Sequence, residues 1–364
     1  QPLDTADLLQ QPETKKKVKP GDFILVFKNN AIIETVCKKN NWKLLNPSAE
    51  LADTVESKVS QVTWLHELAK FLPPHTTTAC AKVQWQHKNF VLQFNHSHTG
   101  SGTFLIDSRK KLAALQEKFP NRLVRIMDYI NGPVFTNNNV VWNNHVLIGN
   151  ISYQITGLAP FTHNTFTTIG NDWALPYTLL NDKQVKQYNH IVNAVGEKLQ
   201  KGGWKGLFGI DVIADKKTGT VYLLEINARQ PASATFESQL QQFSTLSFPQ
   251  QRESGHQTNR FLTKSGMTGK TTVFEAHLAA LLNLPPKNYT LIKINNGAQI
   301  VQRVTSKTSK LSTVKIKNPA IIQTIKYKNT NLNADLLRIQ LKYGIMKGHT
   351  IFNTLGKTIA TSIC

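Results

Sequence analysis

The sequence predicts a mixed α/β and α+β protein of two or three lobes, on three grounds. The chain has 364 residues, more than one hydrophobic core usually serves. Its first part alternates short apolar runs with helical periodicity, as in an open α/β unit. The remainder is richer in strands, broken by a few helical stretches, with no internal repeat.

Phe23-Ile24-Leu25-Val26-Phe27 reads as a buried strand, and Ala31 to Asn40 has helical spacing. Leu44-Leu45-Asn46-Pro47-Ser48 reads as a second strand entering a Pro turn, with a helix expected from about Ser57 to Lys70. This β-α-β-α unit looks like an incomplete doubly wound domain. Strands are expected over Phe90–Phe94, Leu123–Met127, around Val140, and from Val146 to Ile155, with a helix around Gln184 to Gln200. Phe243 to Thr272 is polar and rich in Gly, Ser and Gln, so it is expected to be a long mobile loop. Val273 to Leu282 reads as a helix, Leu291 to Val304 as a strand, and the rest as short β-rich segments.

The most informative stretch is a hairpin, Gly209-Ile210-Asp211-Val212-Ile213 with Val221-Tyr222-Leu223-Leu224-Glu225-Ile226-Asn227-Ala228-Arg229. Side chains alternate faces along a strand, so Glu225, Asn227 and Arg229 share one face and Leu224 and Ile226 the other. With Asp215 opposite Val221 across the turn, Asp211 falls opposite Glu225. Facing carboxylates repel and are costly to bury, so the pairing makes sense with a cation or a shared proton between them. Oxygen donors with no His or Cys nearby suit Mg²⁺ or Mn²⁺. The plain alternative, on the hairpin alone, is a solvent-facing turn with an ordinary Asp and Glu.

Thr99-Gly100-Ser101-Gly102-Thr103 follows a strand and is a candidate phosphate cradle, since glycines let backbone N–H groups converge on an anion. Gly266-Met267-Thr268-Gly269-Lys270-Thr271 is not a P-loop, because its glycines are too close together and no strand precedes it.

Taken in order, these pieces resemble the ATP-grasp superfamily of carboxylate ligases over roughly residues 20 to 305. The resemblance implies an ATP-grasp fold. Its parts would be an N-terminal tail (1–20), a small pre-ATP-grasp α/β domain (21–80), two lobes clasping nucleotide (81–305) and a basic C-terminal extension (306–364). It implies that Lys58, in Glu56-Ser57-Lys58-Val59-Ser60, binds ATP phosphate from the head of a helix. A second family lysine belongs in the strand before the glycine loop, where this chain has Gln93, a neutral amide. The adenine hinge, Glu-x-aromatic-apolar-x-Gly in the family, becomes Met127-Asp128-Tyr129-Ile130-Asn131-Gly132. Backbone groups of Asp128 and Ile130 are left to pair with adenine, while Met127 lacks the family's side-chain acceptor. Asp211, Glu225 and Asn227 stand at the Mg²⁺ positions, and Arg229 at that of the arginine contacting the transferring phosphate.

The implied activity is ATP-dependent, ADP-forming ligation of a carboxylate to an amine through an acyl phosphate. ATP and Mg²⁺ (or Mn²⁺) would be the cofactors, and a small-molecule carboxylate and an amine acceptor the substrates. One alternative is bicarbonate as the carboxylate, in a carboxylase-like or carbamoyl-phosphate-like reaction, although no biotin-attachment motif is present. Another is a non-catalytic nucleotide-binding protein, motivated by Gln93 and Met127. In Gln230-Pro231-Ala232-Ser233-Ala234-Thr235-Phe236-Glu237, Ser233 and Glu237 are candidates to touch the acceptor, and a plain capped helix start explains them equally well. The polar and aromatic stretch from Gly149 to Trp173 is expected to line the cleft. His96, His98 and His163 read as ordinary loop histidines.

With 43 basic and 22 acidic residues the formal charge is +21, an attraction to something anionic. Eleven Lys or Arg stand against the single Asp335 from Val301 onward. A solvated Lys-rich surface is the favoured reading of that excess, with an acidic macromolecule as the other, since no aromatic-plus-basic motif accompanies it. No apolar run reaches membrane-spanning length, and three scattered cysteines fit a reducing cytoplasm. The start lacks a signal-peptide core and an initiator Met, as in a processed or trimmed chain. A homodimer is compatible with these readings.

Overall fold

A computed structural model describes residues 4–95, 102–246, 270–285, 290–305 and 318–363. Helices α1 (Thr5–Gln10) and α2 (Pro12–Lys17) precede a parallel pair, β1 (Phe23–Ile24) and β2 (Lys43–Leu44), connected through α3 (Ala31–Lys39). Asn30 caps α3 by accepting from the Ile33 N–H, and Ile33, Val36 and Cys37 pack on Ile24, Val26 and Trp42. The strand is shorter than the apolar run: Phe23 and Phe27 are 59% and 46% exposed. Its ladder stops because the Asn46 amide takes both the N–H and the carbonyl of Val26.

The helix expected over 57–70 is divided. Helix α4 (Ala49–Glu56), capped by Ser48, precedes it, and α5 (Ser60–Leu65) covers only part of it. At His66 the backbone takes a positive φ of 53°, and a 3₁₀ segment continues to Phe71.

Strands β3 (His75–Ala79), β4 (Phe90–Phe94), β5 (Thr103–Ile106) and β6 (Leu123–Asp128) form an antiparallel sheet in the order β3-β6-β4-β5. Phe90, Leu92, Phe94, Ile106 and Val124 pack together with Leu112 of α6 (Arg109–Lys118). The alternation of side chains turns Val91, Gln93 and Met127 to the other face, where they line a cleft.

The floor of that cleft is a nine-stranded antiparallel sheet. Its strands are β7 (Val134–Trp142), β8 (His145–Leu147), β9 (Ser152–Thr156), β10 (Thr168–Asp172), β11 (Gly206–Ala214), β12 (Val221–Asn227), and, beyond a parallel pair β13 (Lys270–Thr271) and β14 (Thr290–Leu291), β15 (Ala298–Arg303), β16 (Ile321–Lys326) and β17 (Asp335–Leu341). The order is β12-β11-β7-β9-β10-β15-β17-β16, with β8 against β7. Helices α7 (Pro176–Leu179), α8 (Asp182–Lys201), α9 (Ala234–Leu246) and α10 (Val273–Leu281) accompany it. Of these, α8 buries Tyr188, Ile191, Val192, Val195 and Leu199 against Phe135, Phe208, Ile210 and Val212.

Three expectations are corrected here. The strand over 291–304 is split into β14 and β15, because Ile294 between them is bonded to side chains, donating to Asn150 and accepting from Tyr177. Of the loop expected over 243–272, residues 243–246 are instead the end of α9, Lys270 and Thr271 form β13, and Thr272 caps α10; residues 247–269 lie outside the described residues. The C-terminal segments are not only β: β18 (Met346–Gly348) and β19 (Ile351–Phe352) are followed by α11 (Thr354–Thr361). They are tied to the main core by buried Asp172. Its carboxylate accepts from the backbone N–H groups of Ala174 and Leu175 and, at 2.6 and 2.8 Å, of Ile345 and Met346. Among the described residues no helix is long and apolar enough to cross a membrane.

Candidate active site

The cleft between the two main sheets encloses about 400 Å³ and is lined by the Met127–Ile130 turn, by the floor strands and by Arg338, within the usual range for small-molecule sites. The turn is tied to the large sheet by the Asn131 carbonyl, which accepts from Lys216 N–H, and by the Pro133 carbonyl, which accepts from Ala214 N–H. Gly132 permits this approach, since a Cβ there would lie 1.8 Å from the Ala214 oxygen. Asp128 donates its N–H to Pro74 and turns its carboxylate to Lys88 at 2.8 Å. Asp128, Ile130 and Met127 all line the cleft.

Asp211 lies opposite Glu225, but not by the expected path. At the turn Ala214, not Asp215, is opposite Val221, and the Asp215 N–H donates to the Thr220 carbonyl. A bulge at Leu224 then restores the offset, so that Val212 faces Leu223 and Asp211 faces Glu225. The bulge also corrects the expected faces. Leu224 lines the cleft beside Glu225, while Leu223 and Ile226 enter the core.

Burial, and then the nearby Glu225 charge, push the Asp211 carboxyl up to about 6; hydrogen bonds from Thr136 and Gln154 and the charge of Lys58 pull the other way. Burial also acts on Glu225, but Lys58, Arg229 and Arg125 outweigh it and hold its carboxyl below the ordinary value. About a third of its side chain (35%) is exposed, and that exposure is to the walled cleft. The Lys58 ammonium, 2.7 Å from Glu225, is itself lowered by burial and partly restored by that carboxylate. Lys58 stands just ahead of α5, where its N–H and that of Val59 are fixed by the Asn95 backbone and side-chain oxygens.

Arg229 donates to Asn227 Oδ1 at 2.6 Å and to the carboxylate of Glu56, which also holds Lys28 at 2.5 Å. Asp211, Glu225, Asn227, Arg229 and Lys58 thus line one cleft. Among the described residues no three His, Cys, Asp or Glu side chains gather as a metal site, so a divalent ion here would rest on two carboxylates and an amide oxygen. This all-oxygen set fits Mg²⁺ or Mn²⁺, and the facing pair with one raised carboxyl fits a missing positive charge.

Gln93 is not left without a cation. Directly opposite it on β6 is Arg125, fully buried, whose Nε and Nη2 both donate to Gln93 Oε1 at 3.0 and 2.8 Å. Arg125 also donates to Gln61 Oε1 and to the Leu224 carbonyl on the bulge. Burial lowers the guanidinium to about 10, partly offset by Glu225. Gln93 in turn donates to Thr103 Oγ1 at 3.3 Å.

Gly102 accepts from the Phe94 N–H through its carbonyl, and Thr103 lines the cleft; Thr99, Gly100 and Ser101 lie outside the described residues, as do His96 and His98. Ser233 lines the cleft, whereas Glu237 is fully buried and does not. Glu237 accepts from Asn138 at 2.5 Å and from both the backbone and side-chain N–H groups of Asn150, so it ties α9 to the sheet. Burial raises its carboxyl to about 7, against those hydrogen bonds. Sequence reasoning missed Arg125 and Glu56, whereas Gln154 belongs to the stretch from Gly149 to Trp173 that was expected to line the cleft, and it does line it. Glu56 was visible as an acid two residues ahead of Lys58, while Arg125 looks in sequence like one polar residue in an apolar strand.

Residues 55–233 match the family model described as an ATP-grasp domain. No curated protein matches the sequence. Among solved structures, a carboxyaminoimidazole ribonucleotide synthase from Aspergillus clavatus, complexed with ATP, superposes with a TM-score of 0.62 at 15% identity, covering 96% of this chain and 82% of that one. An N5-carboxyaminoimidazole synthetase from Staphylococcus aureus gives 0.63 at 11% identity, over 99% and 84%. An L-amino acid ligase from Bacillus licheniformis gives 0.59 at 14% identity, over 91% and 75%. The cleft between two sheets, the match over 55–233 and these superpositions agree: this chain carries an ATP-grasp domain and has the ATP-grasp fold.

Proposed function

We propose that the protein is an ATP-dependent, ADP-forming carboxylate–amine ligase. The observation that carries this reading is the meeting of Asp211, Glu225, Lys58 and Arg229 in one cleft that also holds the Met127–Ile130 turn. Lys58 and Arg229 offer fixed positive charge where a triphosphate would lie, and the turn offers backbone groups to a base. Asp211, Glu225 and Asn227 would hold Mg²⁺, which when bound neutralises phosphate charge.

In the first step a carboxylate oxygen attacks the γ-phosphorus and the bond to the ADP oxygen breaks. In the second the amine nitrogen attacks the acyl carbon, phosphate departs, and the nitrogen gives up a proton to solvent. The chain's own part is positioning and charge stabilisation. Arg229 is held by Glu56 and Asn227 so that its guanidinium faces the cleft, and Lys58 is held against Glu225 until a phosphate competes for it.

The structural neighbours include both carboxyaminoimidazole synthetases and an amino acid ligase, so the test spans both chemistries. Purified protein with Mg-ATP is assayed for ADP and phosphate release over amino acids, dipeptides, other amines and bicarbonate. Substrate-dependent release of both supports the ligase, with bicarbonate dependence marking a carboxylating variant. Nucleotide binding without release on any mixture overturns it in favour of a binding protein.

A further inference from the structure

The polar floor of the cleft does not stop at Asp211. Across the large sheet the register places Asn171 opposite both Gln154 and Gln299, and Gln299 opposite Gln340. Gln154 donates to Asp211, Asn171 to Ser152, and Gln299 to Asn171 at 2.9 Å. Gln299 is only 4% exposed and lines the cleft, yet its Oε1 has no hydrogen-bond partner among the described residues. A buried amide oxygen left this way is costly unless a ligand donor meets it.

Arg303 and Arg338, on β15 and β17, also line the cleft. Both engage the single carboxylate of Asp335, Arg338 at 3.1 Å. Arg303 is further fixed by the carbonyls of Thr168 and Asn333. The Nε groups of both arginines are buried without a hydrogen-bond partner among the described residues. Two guanidinium groups on one carboxylate leave a surplus positive charge at the cleft, with unused donors, which is the chemistry that captures carboxylate or phosphate. From Asp211 on β11 to Arg303 on β15 the floor crosses four strand spacings of about 4.8 Å, or roughly 19 Å.

We propose that Arg338 and Arg303 form an anion subsite for the second substrate, an elongated molecule with a carboxylate or phosphate at its far end and N–H or O–H groups that reach Gln299. This rests on the ligase reading for the word substrate, but the subsite is measurable without turnover. Calorimetry with Mg²⁺ and the β,γ-imido analogue of ATP would compare two pairs of C-terminally amidated tripeptides, so that the side chain is the one anionic group that differs. Gly-Gly-Glu against Gly-Gly-Gln probes carboxylate, and Gly-Gly-phosphoserine against Gly-Gly-Ser probes phosphate.

The expected result is that in at least one pair the anionic member binds about tenfold or more tightly than its neutral partner. That gap should collapse in Arg338→Gln and persist in part in Arg338→Lys, with both variants checked for an unchanged circular dichroism spectrum. Equal binding within both pairs, no binding of any peptide, or a gap that survives Arg338→Gln overturns the subsite. ADP release, measured separately, decides the ligase reading on its own.

Discussion

Gln93 and Arg125 face each other across neighbouring strands, with the guanidinium clamped on the amide oxygen by two hydrogen bonds. Sequence alone reads Gln93 as a lost cation, which would make Gln93→Lys tighten ATP binding. The structure reverses that expectation. A lysine there would remove the one oxygen that accepts two hydrogen bonds from Arg125 and set two buried cations side by side, a change that costs about 2–4 kcal/mol in comparable settings. Gln93→Lys alone is expected to lower the melting temperature and weaken binding of a fluorescent ATP analogue. Gln93→Lys with Arg125→Leu should recover both, and failure of the double variant to improve on the single one would show that Arg125 is needed for packing alone.

Asp211→Asn removes one of two facing carboxylates. In metal-free buffer near pH 8 it is expected to be at least as stable as the parent protein, because a repelling buried charge is gone. In saturating Mg²⁺ the parent should gain a few degrees of melting temperature, about what a ligand bound at 100 times its Kd supplies, and the variant should gain none. ADP release should fall by about 100-fold or more. An equal Mg²⁺ shift in both proteins would place the ion elsewhere.

Glu237 and His277 should make opposite contributions to pH stability. The Glu237 carboxyl is raised from 4.5 to about 7, so its stabilisation is full below 4.5 and is lost as pH rises through about 7. His277 is lowered by burial from 6.5 to about 4, so its stabilisation is full above 6.5 and is lost as pH falls through about 4. Between 4.5 and 6.5 the two slopes oppose. Relative to the parent, Glu237→Gln should steepen the rise of melting temperature with pH over that window, and His277→Asn should flatten or reverse it. Parallel curves for all three proteins would contradict both assignments.

Gly206 opens β11 with a positive φ of 85°, and a Cβ there would lie 2.4 Å from His277 Nδ1, the acceptor of the Leu207 N–H. Gly206→Ala combines backbone strain with a clash against a buried ring, so a loss of about 3 kcal/mol is expected in urea unfolding. A loss below 1 kcal/mol would mean that α10 can move away from the sheet at little cost.

Part of the cleft was legible in the sequence because strand alternation is local: it placed Glu225, Asn227 and Arg229 on one face of a strand before any tertiary contact was known. What it could not show were features set by pairing at long range. The bulge at Leu224 depends on how two strands settle against each other, and the expected register reached the right pair only because an error of one at the turn was cancelled there. Arg125 needed knowledge that β6 lies beside β4, and the Arg303–Asp335–Arg338 cluster that β17 lies beside β15. Glu237 and Ser233 were indistinguishable in sequence, and only burial separates the one inside the core from the one lining the cleft.

Strand β15 lies between β10 and β17, and β17 is completed only at Leu341. During synthesis the main floor therefore keeps the β15 edge open, and the partner that covers it emerges only with residues 335–341. Until then Ala298–Arg303 is a template for unwanted pairing between chains. A nascent chain stopped near residue 305 should be prone to aggregate although every residue of the Asp211 and Glu225 pair is already made. The outermost strand, β16, ends in Lys326 and leaves Gln323 and Thr324 exposed, so the finished sheet presents a polar border where the unfinished one presents an open ladder.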